Sequence, residues 1–232
     1  MNEASYAQAW NDLNHRIVSC RQCPRLAAYR EEVARVKRRA YRDWDYWGKP
    51  VPGFGDRNAR LVIVGLAPGA HGANRTGRIF TGDSSGDTLF AALHRAGFAS
   101  QPTSRQRGDG LELRDAFITA VVRCAPPDNK PLPQETLNCR SYLVRELELL
   151  SSVRVVLALG RIAFDGYLDL LTASGRSSGP RRSFFHSTVC EFDPPLPTLV
   201  ASYHPSRQNT QTGRLTPAML DQVFEKIRQL LG

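Results

Sequence analysis

Between Gly65 and Gly86 the chain reads GLAPGAHGANRTGRIFTGDSSG, in which six glycines are interleaved with His71, Asn74, Arg75, Arg78, Phe80, Thr81 and Asp83. Glycines let a backbone come close to a ligand. The side chains among them can stack on a planar group, hydrogen-bond to its edge and stabilise charge. Asp83 is the carboxylate of this run. A plain strand-to-helix connection needs only a few residues, so the length and composition of this one favour a site.

Two other segments have the same character. Cys124-Ala125-Pro126-Pro127-Asp128-Asn129-Lys130-Pro131 holds Asn129 among three prolines. Proline fixes the backbone, and an amide offers a donor and an acceptor that can read the edge of a base. The plainer reading is an Asx-turn. Tyr203-His204-Pro205-Ser206-Arg207-Gln208-Asn209-Thr210 puts an imidazole directly after an apolar run, where it serves either chemistry or structure. Each segment alone is ambiguous, but three of them at one sheet edge favour a site.

The cysteines form a second constellation. Cys20 and Cys23 are a Cys-x-x-Cys pair, Cys124 and Cys139 come far later, and Cys190 stands apart. Four thiolates from two distant segments can bind a structural zinc or an iron–sulfur cluster, or meet by chance. Spacing leaves these open. A thioredoxin-like redox pair is disfavoured by its context, and Cys190 reads as a small buried residue.

Four apolar runs predict the buried strands that carry these loops: Leu61–Leu66, Ala116–Val122, Val153–Leu159 and Thr198–Ser202. Helical stretches are predicted over 4–19, 24–40, 86–97, 134–150, 161–172 and 217–231, the last opening on Thr216-Pro217, an N-cap followed by proline. Strand and helix alternate, which predicts an α/β fold: a three-layer αβα sandwich on a four-stranded parallel sheet. In open sheets of this kind ligands bind at the carboxyl ends of the strands, where all three loops begin. The stretch 173–197 reads as a mobile loop or small hairpin. The aromatic run Tyr41-Arg42-Asp43-Trp44-Asp45-Tyr46-Trp47 reads as a packed loop.

At 232 residues the chain is one domain, 1–232, with an N-terminal arm over 1–50 and an αβα core over 51–232. A net charge of +9 points to a polyanionic partner, nucleic acid first. Local basic clusters are Lys37-Arg38-Arg39, Arg105/Arg107 and Arg181-Arg182. No apolar run is long enough to span a bilayer and the N-terminus has no signal pattern, which predicts a cytoplasmic protein without disulfides. A monomer is expected.

Taken together, GLAPGAHGANRTGRIFTGD at 65–83, the four spaced cysteines, APPDNKP at 125–131 and HPSRQN at 204–209 resemble the uracil-DNA glycosylase superfamily, and within it the family 5 (B-type) enzymes. The resemblance covers nearly the whole chain. It implies base-excision repair: hydrolysis of the N-glycosidic bond of a damaged base, leaving an abasic site. Uracil is the implied substrate, with hypoxanthine, xanthine, ethenocytosine and hydroxymethyluracil as further ones. It also implies a structural [4Fe-4S] cluster on Cys20, Cys23, Cys124 and Cys139, tying the arm to the core. Where family 4 enzymes carry glutamate, this chain has Leu66, which cannot activate water and moves that burden to Asp83.

On that basis Asp83 is expected to stabilise the oxocarbenium-like sugar and orient water, and His204 to stabilise the leaving base. Asn129 would bond the polar edge of the base, and Asn209 would position water or the His204 loop. Phe80 would stack on a flipped base, and Gly65, Leu66, Ala67, Pro68 and Gly69 would approach it with backbone. Arg75 would hold phosphate, while Ser206, Arg207 and Gln208 would enter the groove of double-stranded, or bind single-stranded, DNA. A lyase would need a lysine such as Lys130, but the resemblance implies a monofunctional glycosylase. The rival reading is an iron–sulfur DNA-binding or redox protein without hydrolytic activity, which leaves Asp83 and His204 idle.

Overall fold

The computed structural model describes residues 3–176 and 182–232. Arg181 of the Arg181-Arg182 cluster and part of the predicted 173–197 loop lie outside the described residues. In chain order the elements are α1 (Glu3–Val18), α2 (Pro24–Val36), β1 (Phe54–Gly55), β2 (Leu61–Gly65), α3 (Ala73–Thr76), α4 (Ser84–Arg95) and β3 (Ala116–Ala120). They continue with α5 (Pro133–Leu149), β4 (Val155–Leu159), α6 (Arg161–Ala173), β5 (Val189–Cys190), β6 (Thr198–Ser202), α7 (Arg207–Gln211) and α8 (Pro217–Leu231).

The four apolar runs form the parallel centre of one sheet in the order β1-β3-β2-β4-β6-β5. Ile63 lies beside Ile118 on one neighbour and Leu157 on the other, and Leu157 beside Val200. Sequence reasoning missed the edges, where β1 and β5, of two residues each, pair antiparallel with β3 and β6. The sheet is therefore six-stranded and mixed, with the predicted parallel core inside it.

Side chains alternate along each strand, so both faces are apolar and both need cover. Leu61, Ile63, Ile118, Leu157 and Val200 meet Leu89, Phe90 and Leu93 of α4 and Val223, Phe224 and Ile227 of α8. Val62, Val64, Phe117, Val156 and Leu199 meet Trp10, Leu13 and Ile17 of α1, Tyr142 and Leu143 of α5, and Phe164 and Tyr167 of α6. The N-terminal arm is thus part of a core layer in its own right. No helix among the described residues is long and apolar enough to cross a membrane.

Helix α2 ends at Val36 rather than near residue 40 because Lys37 is left-handed, at φ 58°. A 3-10 turn over Arg39–Tyr41 follows. From β2 the chain moves outward to β3 and then crosses back to β4 on the other side of β2. That reversal opens a crevice at the carboxyl ends of β2 and β4, where the three loops gather.

Candidate active site and cysteine centre

Strand β2 ends at Gly65, and the ring of Phe80 returns to lie on it. A Cβ on Gly65 would sit 2.7 Å from Phe80 Cε2. Phe80 itself is left-handed, at φ 51°, an unfavourable conformation for a bulky residue. It is held there by the packing of its carbonyl on Gly86, where a Cβ would overlap it. The ring is 8% exposed, and its centroid is 5.7 Å from that of His204, with the planes 31° apart. The result is an apolar wall between the loops after β2 and β6.

Three residues on, Asp83 caps α4 by accepting the Gly86 N–H on Oδ1 at 3.0 Å. Its Oδ2 reaches back over the first loop: a Cβ on Gly69 would lie 3.0 Å from it, and one on Gly72 would overlap it. Burial holds the Asp83 carboxyl above the usual carboxylate range, against the opposing pull of the Gly86 and Ser85 amides. A carboxylate so buried has a strong electrostatic reach. Leu66 and Ala67 are half-buried and Pro68 buried. The Gly65 and Leu66 carbonyls accept from Val121 and Val122, both at 3.0 Å, which fixes the start of the loop against the chain leaving β3.

Arg75 does not face a phosphate. It is 3% exposed, donating Nε to the His71 carbonyl and Nη2 to the Gly82 carbonyl, each at 2.8 Å. The rings of Tyr41 and Trp44 flank it, each centroid 4.0 Å away. It therefore braces the loop from within, and the expectation that it contacts DNA phosphate is corrected. The same aromatic run continues the clamp: Tyr46 Oη is 3.1 Å from His71 Nδ1, and the Trp47 and Gly48 amides donate to the Arg75 and Asn74 carbonyls. Packing is what these aromatics do, as expected. Arg78 is likewise buried, forked onto Asp109 at 2.9 and 2.7 Å.

His204 follows β6 directly. Gly160, at φ 91° beyond the end of β4, makes room for it, and a Cβ there would stand 3.2 Å from the His204 Cβ. Burial alone pushes the imidazole down to about 4, so the ring is neutral at pH 7 and carries one N–H donor. The Asn209 amide donates to the His204 carbonyl at 2.8 Å and so ties its helix to the His204 segment. Ser206 caps the unforeseen short helix α7 by accepting from the Asn209 N–H at 3.3 Å. Arg207 and Gln208 project from α7 exposed. Arg214, one of the arginines that flank these loops in the sequence, lies over Tyr203, 4.7 Å from its ring.

Asn129 sits on an exposed 3-10 turn over Pro127–Asn129 and is itself left-handed, at φ 55°. Its side chain forms no Asx-turn. Among the described residues it is not brought into contact with Phe80, Asp83 or His204.

Cys20, Cys23, Cys124 and Cys139 line a single cavity together with Arg30, Pro50, Arg123, Asn138 and Tyr142. All four are free thiols, as is the buried Cys190. Among the described residues no three His, Cys, Asp or Glu side chains are grouped to hold a metal ion, so four thiols around a void is all that is gathered here. The wall of that void carries cations. Arg30 is 3% and Arg123 1% exposed, and the Nε of each has no partner. Arg30 Nη1 donates to Cys124 Sγ at 2.9 Å, and Asn138 Nδ2 lies 3.4 Å from Cys23 Sγ. Burial pushes Cys139 up to about 12 and raises Cys124. Glu146 meets the charge of Arg123, but neutral thiols give the Arg30 guanidinium no counter-charge, whereas an anionic thiolate-ligated group would. The donor set and its surroundings therefore fit an iron–sulfur cluster.

Gly72, Gly160, Arg30 and Arg123 escaped sequence reasoning. The two glycines act by what they leave out, and Arg30 meets Cys124 only through the fold, from 94 positions away in the chain.

Residues 52–228 match the family model of the uracil DNA glycosylase superfamily. A Type-5 uracil-DNA glycosylase of Mycobacterium bovis is 53% identical over 222 residues, 95% of this chain and 81% of that protein. One from Thermus thermophilus is 51% identical over 219 residues, covering 93% of this chain and 95% of that protein. A third, from Pyrobaculum aerophilum, is 45% identical over 217 residues, 94% and 91% of the two chains.

Proposed function

The chain belongs to the uracil DNA glycosylase superfamily, and from that premise we propose that it excises uracil from DNA with Phe80, Asp83 and His204 as its working groups. It is a monofunctional glycosylase, cleaving the N-glycosidic bond by hydrolysis and leaving an abasic site. The observation that supports this assignment best is the packing of Phe80 against His204, which unites the loops after β2 and β6 at the crevice.

A base inside a duplex is out of reach, so the target nucleotide is flipped into the crevice. There the Phe80 ring offers it a stacking face. As the bond breaks, the sugar gains positive charge and the base negative charge. The Asp83 carboxylate stabilises the first and orients the attacking water. The neutral His204 N–H donates to the carbonyl edge of the departing base. Asn209 holds His204 by its main chain, and Leu66 contributes no proton transfer. Asn129 reaches the base edge only if its turn closes over the bound nucleotide. Arg207, Gln208 and Arg214 are exposed beside the crevice and face the backbone and groove.

A stacking face and one neutral donor do not by themselves require uracil. Hypoxanthine, xanthine, ethenocytosine and hydroxymethyluracil present the same two features, and the range of bases is proposed to include them.

Cys20, Cys23, Cys124 and Cys139 are proposed to hold a [4Fe-4S] cluster, whose contribution is structural: it pins the segment between α1 and α2 to the β3 loop and α5.

The test is strand cleavage after alkali on duplexes carrying one lesion each. Alkali-dependent product from the uracil duplex is expected. No product from protein that binds the duplex overturns the reading in favour of a DNA-binding protein without hydrolytic activity.

A further inference from the structure

We infer that Arg30 is the counter-charge of the cysteine centre, a positioning residue that holds the cluster by an N–H···S hydrogen bond. This rests on the proposal that the four cysteines carry an iron–sulfur cluster.

Arg30 comes from the middle of α2 and is 3% exposed. An isolated buried guanidinium is costly unless its charge is met. The other buried arginine of the cavity has its answer: Arg123 Nη2 lies 2.6 Å from Glu146 Oε2, a carboxylate that is itself fully buried. Arg30 has no such partner. The carboxylate beside it, Glu31, is 3.5 Å away, is 42% exposed and is already bonded by Arg21. The hydrogen bonds Arg30 donates go to Cys124 Sγ at 2.9 Å and to the Cys20 carbonyl at 3.1 Å. Its Nε lacks any partner, although it lies in the cavity wall. Apart from the contact with half-exposed Glu31, the donors of this cation go to Cys124 Sγ and the Cys20 carbonyl, and its Nε is left without a partner.

A cubane cluster on four thiolates is anionic, and its potential is set by charge and by hydrogen bonds to its sulfurs. A guanidinium N–H on Cys124 Sγ stabilises the more reduced, more negative cluster and opposes loss of iron. Arg30 also ties the centre to the excision loop, because its carbonyl accepts the Asn74 amide at 3.2 Å.

The experiment compares wild type, Arg30→Lys, Arg30→Met and the surface control Arg35→Met, whose side chain is exposed on α2, all purified anaerobically. It measures iron content, the rate of iron release to a chelator and the reduction potential. Arg30→Met is expected to release iron at least about tenfold faster, in line with losses of metal-ligand support elsewhere, and to be reduced at a lower potential. Arg30→Lys keeps the charge and should lie between, which keeps the inference testable should Arg30→Met fail to fold. Arg35→Met should match wild type. Iron-loaded wild type with release rate and potential unchanged in both Arg30 variants overturns the inference alone. Wild type that takes up no iron overturns the cluster reading and the inference with it.

Discussion

The rings of Phe80 and His204 lie 5.7 Å apart, brought together from loops that leave β2 and β6. Neither could approach without a missing side chain behind it: Gly65 lies under Phe80 and Gly160 under His204. The platform is therefore sensitive to changes that alter no polar group. Gly65→Ala places a Cβ 2.7 Å from Phe80 Cε2, so the ring must shift. A displacement near 1 Å at a reacting site costs on the order of 10²-fold. Single-turnover excision should fall by about that factor while binding to undamaged DNA is retained. Excision at the wild-type rate would remove Phe80 from the site.

Asp83 has two roles, which substitution separates. Asparagine caps a helix about as well as aspartate, so Asp83→Asn keeps the bond from the Gly86 amide. It also relieves the native state of a buried carboxylate that burial holds above its usual range. Excision should fall by about 10²–10³, while the unfolding temperature equals or exceeds that of wild type. Asp83→Ala should lose a comparable rate and in addition about 1 kcal/mol of stability with the cap. Wild-type excision in Asp83→Asn, with loss of activity confined to the destabilised Asp83→Ala, would make Asp83 a cap and nothing more.

The four central strands were legible from the sequence, though not their order, because β2, β3, β4 and β6 are buried on both faces and read as continuous apolar runs. β1 and β5 were not, since two-residue edge strands carry no period to detect. Of the proposed site, Asp83 and His204 could be singled out from the sequence by residue type and place. It was not legible where the meaning depends on what a residue meets in space. Arg75 in a glycine-rich loop has the composition of a phosphate ligand, yet Tyr41 and Trp44, more than thirty residues earlier in sequence, enclose it. Arg30 looks like one more charge on a polar helix until Cys124 is brought beside it.

Acid should weaken the fold through His204. Its folded value is about 4 and its unfolded value about 6.5, so the unfolded chain binds the extra proton between those limits. The stability contributed by the neutral, half-buried ring is complete above about pH 6.5 and is lost progressively toward about pH 4. His71 and His186 are also lowered by burial, but they do so in wild type and variant alike. Unfolding temperatures across this range should therefore fall less steeply for His204→Gln than for wild type. Parallel curves would show that the ring is not held neutral. The low-pH limb of excision should instead belong to the raised carboxyl of Asp83 and persist in Asn209→Ala.

Salt separates the arginines that hold the loop from those that hold DNA. Each phosphate contact contributes close to one unit to the slope of log affinity against log salt. Arg207 is exposed on α7 and Arg214 is exposed over Tyr203, so Arg207→Ala and Arg214→Ala should each weaken binding and reduce that slope by about 1. Arg75 is enclosed, with Nε and Nη2 on main-chain carbonyls, and Arg75→Met should leave the slope unchanged. Its effect should appear as a lower unfolding temperature and slower excision, because the Gly82 carbonyl it anchors adjoins Asp83. Binding measured at several salt concentrations for the three variants checks the division. A reduced slope in Arg75→Met would return Arg75 to the phosphate backbone and require the Tyr41–Trp44 clamp to open when DNA binds.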